Sequence, residues 1–94
     1  MAKKLIVAIV QDQDAGRVVD ALVTRRYPAT RINTAGGFLK RGNATILVGV
    51  DEEDVDRVIE VLDQNCEARP AGAGDITIGA GTVFVLGVGD FARL

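Results

Sequence analysis

The stretch TRINTAGGFLKRGN, residues 30–43, contains the residue types with the most specific chemistry in this chain. Gly36 and Gly37 can adopt positive φ, so that backbone N–H groups in this stretch could approach an anion closely. Phe38 follows them and offers a flat apolar face on which a base could stack. The same residues also suit an ordinary hairpin turn, because glycine is the commonest residue of such turns.

Polar residues complete this pattern. Lys40 and Arg41 could hold an anion, and the side-chain amide of Asn43 can donate and accept hydrogen bonds at once, as the edge of a nucleobase requires. A stacking face, cations and an edge-reading amide together meet the needs of a nucleotide. A solvated basic surface is the alternative, above all for Arg25 and Arg26, which lie near the end of a predicted helix where positive charge is favourable.

Residues suited to catalysis or metal binding are scarce. The chain has no His and a single cysteine, Cys66, and its acidic residues do not cluster at ligand spacing, so we expect no metal site and no intrachain disulfide. Acid–base chemistry would depend on Asp12, Asp14 or Asp90. Asp12 and Asp14 lie where a helix is predicted to begin and would stabilise its first turn, and Asp90 lies in a terminal loop. We therefore predict that the protein is not an enzyme and uses no cofactor.

Length and charge narrow the class of protein further. The 94 residues predict a single domain, residues 1–94, and 11 Lys and Arg against 13 Asp and Glu argue against binding to polymeric nucleic acid. No apolar run approaches the roughly 18 to 20 residues that cross a bilayer, and the N-terminus leads into a strand without a cleavage-site pattern. We expect a cytoplasmic protein that does not associate with membranes.

The hydrophobic pattern predicts the elements that position residues 30–43. The predicted strands cover residues 4–10, 29–35, 44–50 and 81–88. The apolar positions of the two predicted helices are Ala15, Val18, Val19 and Leu22 in the first, and Val55, Val58, Ile59 and Leu62 in the second. Tyr27-Pro28 is predicted to end the first helix, and Asp51 to open the second. Residues 67–81 predict a loop with a short strand at residues 76–78.

The element order βαββαβ predicts an α+β ferredoxin-like sandwich. Right-handed crossovers place both helices on one face of a four-stranded antiparallel sheet whose first and third strands are central. Those two strands, LIVAIV and TILVGV, are apolar at odd and even positions alike, whereas a sheet with one solvated face alternates. Since the helices cover one face only, we predict a closed oligomer, most simply a homotrimer, whose other subunits cover the second face.

The chain resembles the PII-like cyclic-di-AMP receptors in three pieces: AIVQDQD, ATRINTAGGFLKRGN and TVFVL. This resemblance implies a homotrimer of ferredoxin-like subunits that binds cyclic-di-AMP at each subunit boundary and acts in signal transduction. The ligand contacts that it implies are Thr30, Gly37, Phe38, Leu39, Asn43, Gly49 and Phe84. Phe38 would stack on an adenine, and Asn43 would read its edge. Relatives have a basic residue where this chain has Pro28, and Arg31 and Arg93 are the nearest residues that could replace that contact.

Alternative functions remain open from the sequence. Pro28 and the short loop at residues 67–81 favour a PII-like trimer that senses another ligand, such as ATP, ADP or a small anion. A ligand-free structural module that docks an unknown protein target is the other alternative. Some predicted contacts also have structural explanations: Phe84 lies inside a strand and could be a core residue, and Gly49 could allow close backbone approach.

Overall fold

The computed structural model describes residues 2–32, 42–67, 69–70, 77–78 and 81–89. Within these residues the elements in chain order are β1 Lys3–Gln11, α1 Asp12–Thr24, β2 Ala29–Ile32, β3 Asn43–Asp51, a 3-10 turn Glu52–Asp54, α2 Val55–Asn65, β4 Arg69–Pro70, β5 Thr77–Ile78 and β6 Gly81–Val88. Neither described helix has the length and apolar character that crossing a membrane requires.

The main sheet has the strand order β2-β3-β1-β6, and all its neighbouring strands are antiparallel. The first and third strands are therefore central, as the ferredoxin-like prediction requires. The predicted second strand extends to residue 35, but only its part up to Ile32 falls within the described residues. The strand predicted at residues 76–78 is described as β5, which pairs with β4 in a separate two-stranded ribbon. Sequence reasoning missed β4, because an Arg-Pro pair does not resemble a strand.

One face of this sheet packs against both helices and forms the hydrophobic core. The even-numbered residues of β1 and β3 point to this face, and those that are buried in the core are Ile6, Ala8, Val10, Ala44, Ile46, Val48 and Val50. The fully or almost fully buried helix residues are Ala15, Val18 and Leu22 in α1, and Val58, Val61 and Leu62 in α2. The stripe predicted for α2 is wrong at one position: Val55 packs against the core, Ile59 is partly buried but is not part of it, and the unpredicted Val61 is buried. Helix α2 contacts α1 as well.

Helix α1 ends three residues before the position predicted from Tyr27-Pro28. Arg26 adopts a left-handed conformation with φ of 65°, and its N–H donates to the Val23 carbonyl at 2.9 Å. The N–H of Tyr27 donates to the Leu22 carbonyl at 2.9 Å, which completes a Schellman motif, and the Tyr27 side chain packs against the core. The helix is thus closed by a left-handed residue before the proline could interrupt it.

The other face of the sheet, which we call the helix-free face, is also apolar. It is formed by the alternate strand residues that point away from α1 and α2, among them Leu5, Val7, Ile9, Leu47, Phe84 and Leu86. Phe84 is 51% exposed and Leu86 is 50% exposed. Among the described residues, no helix lies on this face. The expectation of a sheet that is apolar on both faces is therefore confirmed.

Candidate functional site

The predicted ligand contacts that the structure describes lie mainly on the helix-free face. Thr30 pairs with Leu47, Leu47 with Val7, and Val7 with Phe84, so these four residues form one row across the sheet. Directly opposed residues of antiparallel strands share a face. Asn43 and Gly49 alternate with Leu47 along β3 and belong to the same face. Four predicted contacts, Thr30, Asn43, Gly49 and Phe84, are thus brought to one side of the sheet.

These four residues do not meet at one point of a single subunit. Thr30 and Phe84 lie on the two edge strands, three strand spacings or about 14 Å apart. Asn43 and Gly49 are six residues apart along β3, which corresponds to about 20 Å. A site that uses Thr30 together with Phe84 at close range therefore needs the edges of two subunits.

A pocket of about 270 Å³ opens beside Gly49. Its lining residues are Lys3, Lys4, Leu5, Pro28, Gly49, Val50 and Val88. A Cβ atom built at Gly49 would meet no other atom within 4 Å, so no close backbone approach requires glycine here. The absent side chain instead leaves room on the helix-free face. Apolar lining residues beside two lysines suit an apolar group that carries an anion, although Lys3 also forms an ion pair with Asp51.

Arg31 lies on the opposite side of the sheet from Thr30. It pairs with the buried Ile46, and its Nη2 donates to Oδ1 of Asp12 at 3.1 Å. Both side chains of this ion pair are partly exposed, Arg31 by 39% and Asp12 by 49%. The structure therefore places Arg31, which sequence reasoning considered as a replacement ligand contact, next to α1 and away from the other described contacts.

Asp12 contacts a second segment through its backbone. Its N–H donates to the carbonyl oxygen of Gly42 at 2.8 Å, and Gly42 has φ of 90°, which L side chains rarely adopt. Asn43 follows directly and pairs with Gln11 at the end of β1. Sequence reasoning weighed Asp12 for acid–base chemistry and favoured a helix-end role, so neither contact was predicted. The piece AIVQDQD, quoted for the family resemblance, contains Asp12.

Asp14 is fully buried, which its predicted role in the first turn of α1 did not indicate. Its carboxylate accepts hydrogen bonds from Arg17 Nη2 at 2.9 Å and from the N–H of Glu67 at 3.2 Å. Arg17 also donates from Nε and Nη2 to the carbonyl oxygen of Asn65, at 3.2 and 3.0 Å. Asp14 precedes the buried Val18 by four residues, and this spacing could have revealed it. The carboxylate joins α1 to the end of α2.

Three carboxylates come together where β3 ends, contrary to the expectation that acidic residues do not cluster. One oxygen each of Asp51, Glu53 and Asp54 lie within 4.8 Å of one another. Lys3 binds Asp51 and offsets part of this charge. Neighbouring acids at the start of a helix also interact favourably with its dipole, so the grouping by itself does not indicate a metal.

Gly36, Gly37, Phe38, Leu39 and Arg93 lie outside the described residues, as does Asp90. The glycine-rich stretch at residues 33–41 joins β2 to β3, and its two flanks, Ile32 and Gly42, are described.

Comparison with known proteins identifies relatives of this chain and structures with the same fold. The model of a family described as cyclic-di-AMP receptor matches residues 3–74. The crystal structure of a functionally unknown protein from Pediococcus pentosaceus ATCC 25745 is 38% identical, with a TM-score of 0.82, and the match covers 100% of this chain and 99% of that one. Arabidopsis thaliana PII bound to citrate is 24% identical, with a TM-score of 0.74 over 98% of this chain and 80% of that one, which shows a shared fold.

The sequence predictions of the family and of the fold are both confirmed by these matches. The family match covers most of the chain and includes the first two of the three quoted pieces, AIVQDQD and ATRINTAGGFLKRGN. The chain therefore belongs to the cyclic-di-AMP receptor family, with a ferredoxin-like α+β fold of the PII type.

Proposed function

We propose that this chain is a PII-like signalling protein that binds cyclic-di-AMP in clefts between the subunits of a homotrimer. In this proposal it is not an enzyme, and it acts in the cytoplasm on a protein target. The observation that carries the proposal is the position of Thr30, Asn43, Gly49 and Phe84 on one apolar face, at distances that one subunit alone does not bridge.

Assembly of copies accounts for this face. Phe84 and Leu86 are half exposed beside the partly buried Leu5 and Val7. A contiguous apolar patch of this kind marks an interaction surface. In a ring of identical subunits, one edge of each subunit meets a different edge of the next. The Thr30 edge of one subunit would then approach the Phe84 edge of its neighbour.

The energy of binding also favours a site between subunits. Stacking of one base contributes about 1–3 kcal/mol, and a hydrogen bond to a charged group about 1.5–3 kcal/mol. Micromolar affinity requires about 8 kcal/mol. The contacts of one subunit, from Phe38, Thr30 and Asn43, supply this binding free energy barely or not at all. Contacts from a second subunit are therefore needed.

The Phe38→Ala variant tests the stacking role directly. We expect it to abolish the calorimetric binding of cyclic-di-AMP while sedimentation still reports the wild-type oligomer, because the ring supplies stacking but no subunit contact in this proposal. Val23→Ala is the matched control, since Val23 is a 55% exposed apolar residue on α1. Unchanged affinity in Phe38→Ala would remove the stacking role. A wild-type trimer that does not bind cyclic-di-AMP would refute this ligand.

A PII-like sensor of another ligand is the second candidate, and the pocket beside Gly49 favours it. Pro28 lines that pocket together with Lys3 and Lys4. The pocket therefore has two lysines but lacks the basic residue that relatives have at the position of Pro28. A thermal-shift comparison of cyclic-di-AMP, ATP, ADP, AMP and citrate separates the candidates, because a ligand at 100 times its Kd stabilises the protein by about 2.7 kcal/mol. A ligand-free docking module predicts no shift with any of them.

A further inference from the structure

We infer that Asp12 is a positioning residue for this nucleotide site, acting on the neighbours of two predicted contacts. Arg31 directly follows Thr30, and Gly42 directly precedes Asn43. Asp12 binds both of these neighbours. The inference rests on the proposed function, because the site that Asp12 would position is the proposed one.

The first contact holds the end of β2. Oδ1 of Asp12 accepts a hydrogen bond from Arg31 Nη2 at 3.1 Å, across nineteen residues of sequence. Arg31 lies on the helix side of the sheet, so its neighbour Thr30 is turned to the helix-free face. The ion pair therefore holds β2 at Arg31, and the preceding residue, Thr30, faces the proposed ligand.

The second contact holds the start of β3. The N–H of Asp12 donates to the Gly42 carbonyl at 2.8 Å, and the positive φ of Gly42 turns the chain into the strand that begins with Asn43. The first residue of α1 thus contacts both flanks of the connection between β2 and β3, with its backbone at Gly42 and with its carboxylate at Arg31. Only the contact with Arg31 depends on the aspartate side chain.

The exposure of the ion pair argues for positioning over stability. Both side chains are more than a third exposed, and exposed ion pairs contribute little to folding. Ligand affinity is more sensitive, because a loosened binding group must be ordered again when the ligand binds. Removing the Asp12 carboxylate should therefore weaken binding without unfolding the protein.

The test is calorimetric titration of cyclic-di-AMP into the wild type, Asp12→Ala, Arg31→Ala, the double variant, and the charge exchange Asp12→Lys with Arg31→Glu. We expect each alanine variant to bind about tenfold more weakly, the double variant no more weakly than either, and the exchange to restore most of the affinity. The melting temperature should stay within about 2 °C of the wild type, and the oligomer should persist. Asp20→Ala, which removes an exposed acid of the same helix, should bind like the wild type.

Each outcome decides the inference. Wild-type binding with unchanged affinity in Asp12→Ala overturns it and leaves the proposed function standing. Additive losses in the double variant, or a loss confined to Arg31→Ala without rescue, show that Arg31 contacts the ligand independently of Asp12 and also overturn it. A dissociated oligomer in Asp12→Ala indicates a structural role instead. A wild type that does not bind cyclic-di-AMP removes the proposed function and the inference together.

Discussion

Arg26 occupies a backbone conformation that glycine adopts more easily than any other residue. Its φ of 65° allows the two hydrogen bonds that close α1, from its own N–H and from that of Tyr27. An L side chain in this region costs about 1–2 kcal/mol per residue. The arginine is exposed, so no burial of its side chain offsets that cost.

Arg26→Gly should therefore raise the free energy of unfolding by up to about 1 kcal/mol, since glycine removes the strain but adds about 0.5–1 kcal/mol of backbone entropy to the unfolded chain. Urea denaturation at one fixed protein concentration measures the change. Arg25→Gly is the matched control, because Arg25 has φ of −92° and donates from Nη1 to the Ala21 carbonyl at 3.1 Å. That variant should be less stable than the wild type. A loss of stability in Arg26→Gly would contradict the strain argument.

At the scale of elements, a cluster of polar residues joins α1 to the end of α2. Asp14 and Arg17 bind the backbone of Glu67 and Asn65, and Gln11 Nε2 donates to the Glu67 carbonyl at 3.2 Å. The guanidinium lies at the carboxyl end of α2, where the helix dipole favours positive charge. The cluster fixes the point at which the chain leaves α2 for β4 and β5.

Asp14→Ala should lower the free energy of unfolding by about 2 kcal/mol. The substitution removes a fully buried carboxylate that accepts hydrogen bonds from Arg17 and from the N–H of Glu67. Asp20→Ala, on the exposed side of the same helix, should change stability by less than about 0.5 kcal/mol. Chemical denaturation of both variants provides the measurement, and equal stability of the two would show that the cluster contributes nothing to the packing of the helices.

At the scale of the whole molecule, the helix-free face is the surface that other subunits would cover in the proposed assembly. Leu86 pairs with Leu5 on this face and is half exposed in one subunit. Val23 is exposed to a similar degree but lies on α1, on the opposite layer of the molecule. The two residues therefore allow the same change to be made on a proposed interface and away from it.

If the proposed trimer forms through this face, Leu86→Asp should yield monomers and abolish the proposed binding of cyclic-di-AMP, because assembly would bury an unpaired charge at a cost of several kcal/mol. Val23→Asp should keep the mass of the wild type. Analytical ultracentrifugation of the three proteins at micromolar concentration reports the result. If Leu86→Asp sediments like the wild type, the helix-free face is not the interface.

Much of the fold and part of the site follow from local sequence. The apolar runs of β1 and β3 have more apolar residues than a strand with one buried face needs, so they predict a sheet that is apolar on both faces. The spacing of Val18 and Leu22 predicts the side of α1 that packs on the sheet. The element order βαββαβ, with right-handed crossovers, leads to the observed strand order. The glycine-rich stretch and the pieces shared with the cyclic-di-AMP receptors indicated the family. These features could be predicted because residue spacing is read directly from the sequence and because crossovers between strands have one preferred handedness.

Contacts between distant segments were decided only by the tertiary structure. The row from Thr30 to Phe84 depends on the register of four strands, and the hydrophobic pattern specifies that register only weakly where both faces of a strand are apolar. This register placed Phe84 on the helix-free face instead of in the core. Similarly, Asp12 meets Arg31 and Gly42, and Asp14 meets Glu67, because packing of α1 brings together segments that are 19 to 53 residues apart. Such pairings depend on how the whole chain closes around its core, so spacing within any one segment does not reveal them.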